Sequence, residues 1–88
     1  MTSISSIVGE LESTRNQLEG ARTAADGALQ QTEEMITQAE GMELEDTAEG
    51  LRVLKAQIEE MTEQIVNFAA GVDELVTSAE GLRRISSH

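Results

Sequence analysis

The sequence predicts an all-α fold: an antiparallel two-helix hairpin, coiled-coil-like, that dimerises into a four-helix bundle. Three observations predict it. The 88-residue chain has no proline and a single aromatic residue, Phe68, so the main helix breaker and the bulky strand formers are missing. Apolar residues recur every seven positions in each half of the chain. Between the halves that period fails, and glycine and acidic residues gather in the gap.

In the first half one series runs Ile4, Leu11, Leu18, Ala25, Thr32, Ala39, and a second runs Ile7, Thr14, Ala21, Ala28, Met35. Taken as heptad a and d positions, they carry no charge. The b positions, Glu12, Glu19, Asp26, Glu33 and Glu40, form an acidic line on the solvent side. No period-two alternation competes with this pattern, so the first helix is expected over about residues 4–39.

The step from Ala39 to Leu44 is five residues, which breaks the heptad and disfavours one continuous helix. Gly41 suits the left-handed residue that closes the first helix. Asp46, followed by Thr47-Ala48-Glu49, fits the N-cap and N3 positions of a capping box. The turn is therefore placed at about residues 40–46, a usual length for a helix–helix connection.

The second helix, about residues 47–84, repeats the design. Its a series is Leu44, Leu51, Ile58, Ile65, Val72, Ala79 and its d series is Thr47, Leu54, Met61, Phe68, Leu75, Leu82. Each array has about 35 residues, roughly 50 Å of helix, so residues 1–88 make one hairpin domain. Folding about residue 43 sets Ala21 near Ile65, Ala25 near Met61, Ala28 near Ile58 and Leu18 near Phe68, small residues against large ones. The expected seam is Leu11, Leu18, Ala21, Ala25 and Ala28 with Leu51, Leu54, Ile58, Met61, Ile65, Phe68 and Leu75.

Apolar residues also occupy e positions: Val8, Leu29 and Ile36, then Ala48, Ala69 and Val76. A stripe wider than a and d implies more than one helical neighbour. Gly9, Gly20, Gly27, Gly50, Gly71 and Gly81 fall inside the helices, each at a cost of ~1 kcal/mol relative to alanine. A second helix approaching the small-residue patch from Gly20 to Ala28 would offset that cost, which again implies a homodimer.

A formal charge of −11 disfavours nucleic acid and anionic membranes as partners. No apolar run reaches a membrane span, and MTSISSIVGE has neither a basic nor a long apolar segment of a leader. The expected location is the cytoplasm, or outside by a leaderless route. With no cysteine and only the terminal His88, no nucleophile arrangement, zinc site, cofactor or catalytic residue is expected, and an enzyme is not. Glu33-Glu34 and Glu59-Glu60-Met61-Thr62-Glu63 lack the Glu-x-x-His of a di-iron bundle, and their carboxylates lie at b, c or f. Glu43-Leu44-Glu45-Asp46 lacks the spacing of an EF-hand.

From Thr23 to Leu51 there are eight acids and no base. Glu33, Glu34 and Glu40 stand near the end of the first helix, where the dipole disfavours anions. Together with Glu43 and Glu45 they are expected to form an acidic tip facing a protein partner with a basic or apolar helical surface. The function expected is thus a non-enzymatic interaction module that self-associates and docks a partner. The alternatives are a carboxylate-lined metal-binding or ion-storing bundle, or a structural subunit of a larger assembly.

Two long acidic helices in a short chain, with a turn near the middle, resemble the WXG-type hairpins of bacterial type VII (ESX) secretion. They are also similar to short helical proteins associated with secreted toxins in actinobacteria. The resemblance implies dimers, heterodimer partners and toxin adaptors rather than enzymes. Where that family has Trp-x-Gly, this chain has Gly41-Met42-Glu43, and it has no tyrosine for the family's export signal. The resemblance is architectural and implies no site residue.

Overall fold

Backbone hydrogen bonding in the computed structural model, which describes residues 3–86, gives two helices: α1, Ile4–Gly41, and α2, Glu45–Ser86. They fold back on each other as a hairpin 69 Å long and 17 by 14 Å across. No strand occurs among the described residues. His88, read above as a tail residue, lies outside them.

At the start of α1, Ser3 has extended backbone and its Oγ accepts a hydrogen bond from the Ser6 amide at 3.1 Å. This satisfies one of the amides that a helix start leaves without a partner. Threonine is tolerated inside both helices because its hydroxyl bonds back to the carbonyl four residues earlier. Thr32 does so to Ala28 at 2.7 Å and Thr62 to Ile58 at 2.9 Å, so Thr32 is buried at 5% exposure with its polar group satisfied.

The turn is tighter than the sequence suggests. Gly41 stays helical, Met42 is the C-cap, and Glu43 is the left-handed residue at φ 59°. The Glu43 amide donates to the Glu40 carbonyl at 3.1 Å and the Leu44 amide to the Ala39 carbonyl at 2.9 Å. That pair of bonds is a Schellman motif, built here without glycine at the left-handed position. Placing Gly41 there was wrong by two residues, because α1 runs on through Gly41 before it closes. The Asp46 cap is corrected too. The Leu44 carbonyl accepts from the Ala48 amide at 2.9 Å, so Leu44 is the capping residue, and Glu45 and Asp46 lie in the first turn of α2, where the dipole favours acids.

A side chain with Cβ pays ~1–2 kcal/mol in the left-handed region. Glu43→Gly is therefore expected to stabilise the hairpin by about 1 kcal/mol, after the added freedom of glycine in the unfolded chain is counted. Thermal melts check this; a melting temperature unchanged or lowered means the Glu43 side chain is doing something else.

The core is a narrow strip. Its buried apolar residues are Val8, Ala25, Ala39, Ala48, Val72 and Ala79, and no large side chain is fully buried. In heptad terms these occupy a and e, not a and d. Around them, Leu11, Leu18, Leu29 and Ile36 of α1 and Leu51, Ile58, Ile65, Ala69 and Val76 of α2 are half-buried. The seam therefore uses the e residues that the sequence reading set aside as flanking.

Candidate functional surface

Of the expected seam, the structure brings Leu11, Leu18, Ala25, Ala28, Leu51, Ile58 and Ile65 to the interface between the helices, buried or half-buried. It leaves Ala21, Leu54, Met61, Phe68 and Leu75 exposed, Phe68 at 61%. Except for Ala28, a half-buried d residue, the separation is by heptad position. Both helices are turned so that a and e meet across the hairpin, and the d line of each is carried to one side. The helical wheel explains it: a and e lie about 40° apart and d about 80° from their midpoint, so turning each helix by roughly 50° exchanges an a/d seam for an a/e seam.

The two flat faces of the hairpin therefore differ. At the open end, Ile7 of α1 and Leu75 and Leu82 of α2 line one apolar groove of about 330 Å³, together with the seam residues Ile4, Leu11 and Ala79. This places the d lines of both helices on the same face. That face also exposes Met35, Leu54, Met61 and Phe68. The g positions beside it are Gln17, Ala24, Gln31 and Gln38 of α1 and Gly50, Gln57, Gln64, Gly71, Ser78 and Ile85 of α2. Glu10, also at g, is the one charged residue on the d and g lines of the helices.

The opposite face holds the charges. Arg15 bonds through Nε to the Asp73 carboxylate across the hairpin and through Nη1 to Glu19 at 3.2 Å. Arg52 Nη2 reaches Glu40 Oε2 at 2.6 Å, and Lys55 Nζ reaches Glu33 Oε1 at 3.6 Å. Leu18, Arg22, Ile65, Val66 and Ala69 line a second groove of about 260 Å³ on this side, beside Arg15 and Asp73. The hairpin is two-sided: one face is apolar along d and neutral along g except for Glu10, and the other holds the ion pairs.

This alters the acidic tip. Glu33 and Glu40 lie beside bases delivered from α2, so the run without a base in sequence is not without one in space. α1 has no basic residue in its last turn, and Arg52 supplies that cation from the neighbouring helix. Glu34, Glu43 and Glu45 remain exposed and are in none of these pairs. The signal that would have found the pairs is the hairpin register itself, which sets 33 beside 55 as it sets 15 beside 73, and brings 52 within one turn of the level of 40. Because all four side chains are about half exposed or a little less, each pair contributes only ~0–1 kcal/mol. Changing Glu33 and Glu40 together to Gln is expected to lower stability by no more than ~2 kcal/mol in low salt, ~1 for each pair, with the difference vanishing in high salt. Melts at two ionic strengths decide it; a loss that persists in high salt contradicts the pairing.

Among the described residues no three His, Cys, Asp or Glu side chains are grouped so as to hold a metal ion, and no helix is long and apolar enough to cross a membrane. No family model matches the chain, and neither curated proteins nor solved structures compared with it give a match.

Proposed function

We propose that the chain is a non-enzymatic protein–protein interaction module, a helical hairpin that self-associates and docks a protein partner through its helical faces. The observation that carries this reading is the exposed d line, where Met61, Phe68, Leu75 and Leu82 stand 47–61% exposed along one helix. Contiguous apolar surface of this kind marks an interaction site.

The surface area supports the same reading. The chain exposes 6510 Å², whereas a globular protein of 9.5 kDa exposes about 5,000 Å². A single hairpin also buries no large side chain completely, a thin core for a domain whose net stability is ~5–15 kcal/mol at most. Association removes both deficits. The acids Glu34, Glu43 and Glu45 at the tip then act on a partner by guiding encounter more than by setting affinity. An adaptor for a secreted toxin, as the resemblance implies, is one setting for such a module.

Sedimentation equilibrium at micromolar concentration tests the reading. The expected result is a dimer, with Phe68→Ser shifting it towards monomer. A well-folded monomer across that range overturns self-association.

A further inference from the structure

We infer that two copies meet through their uncharged d faces with both turns at the same end, so that α2 of each packs on α1 of the other; this rests on the self-association proposed above.

The occupant of the face is argued from charge. Two chains of −11 repel, and they do so least when the surfaces they join carry no charge. The d face is that surface, with Glu10 at its edge as the exception. A partner recruited by complementary charge would find its acids on the other side. The area also suffices: a Cα outline of 69 by 17 Å corresponds to about 1,200 Å² per copy, above the ~800 Å² per partner of a standard interface.

The orientation is argued from volume. On the d line α1 carries only small residues through its middle, Ala21 exposed and Thr14 and Ala28 half-buried, while α2 exposes Met61, Phe68 and Leu75. The Arg15–Asp73 and Glu33–Lys55 pairs fix the levels, so Met61 and Phe68 stand beside the stretch of α1 between Thr14 and Ala28. A two-fold axis along the hairpin lays each α2 over the second copy's α1 at the same level, large side chains over small ones. An axis across the hairpin lays α2 on α2 and α1 on α1. That crowds Met61 and Phe68 against their own copies and leaves a gap between the alanines.

The chain has no cysteine, so Met42→Cys, at a turn position 68% exposed, gives one spin label per chain and every measured distance is between copies. Turns at the same end give a distance on the order of 20 Å, about two helix spacings. A distance approaching the 69 Å length overturns the orientation while leaving self-association intact. A folded monomer by sedimentation overturns both. Phe68→Ser is expected to abolish the label–label signal, whereas Val53→Ser, exposed at 57% outside the d and g lines, is expected to leave it unchanged. Loss of the signal in both variants, or in neither, contradicts the choice of face.

Discussion

Replacing Gly9, Gly20 and Gly27 together by alanine is expected to raise the melting temperature by more than 10 °C. All three are exposed and lie in the interior of α1, and a Cβ added at any of them meets nothing within 4 Å. Each substitution then recovers ~1 kcal/mol of helix propensity with no steric cost. For a domain of this size 1 kcal/mol moves the melting temperature by ~4–8 °C, so three independent sites give ~12–24 °C. Melts of the single and triple variants check the additivity. The patch from Gly20 to Ala28 was expected to receive a helix backbone, yet in the hairpin Gly20 and Gly27 sit at c, away from α2. A triple variant that melts lower, or dimerises less, would restore that patch as a contact surface.

The opposite extreme is Ala25→Glu, expected to cost ~3–5 kcal/mol, the range for leaving an uncompensated charge buried. Ala25 is 3% exposed at the middle of the seam, and the side chain bonded nearest in its row, Thr32, already uses its hydroxyl within α1. The loss corresponds to more than ~12 °C of melting temperature and is expected to appear as reduced helicity at room temperature. Ala21→Glu provides the contrast. Ala21 is exposed on the d line, so the variant should keep its hairpin and lose self-association. A seam built on a and d would make the two variants equally damaging. Circular dichroism and sedimentation on the pair distinguish these outcomes.

The helices themselves were legible in the sequence. Heptad recurrence from Ile4 to Ala39 and from Leu44 to Leu82, without proline, leaves helix as the only regular structure that gathers those residues on one side. The broken step between Ala39 and Leu44 located the reversal, and α1 and α2 end within two residues of the expected limits at three of the four termini, and exactly there at Ile4. The left-handed residue was not legible. Gly41 is the better chemical candidate, but the Schellman bonds from Glu43 and Leu44 close the helix two residues later.

Which face is sealed was decided only by the tertiary structure. Each helix offers apolar or small residues on three lines, a, d and e, and one partner helix can cover only two of them. The e line also carries bases, Arg15 and Arg22 in α1 and Lys55 and Arg83 in α2. With a and e at the seam, Arg15 lies beside Leu18, Ile65 and Ala69 and Lys55 is half-buried, while their charged ends reach Asp73 and Glu33 on the opposite helix. That arrangement depends on residues 58 and 22 positions apart in sequence coming level across the hairpin, which periodicity along one helix does not contain. The sealing of a and e in turn leaves the uncharged d face open, and the surface proposed for the second copy exists because of it.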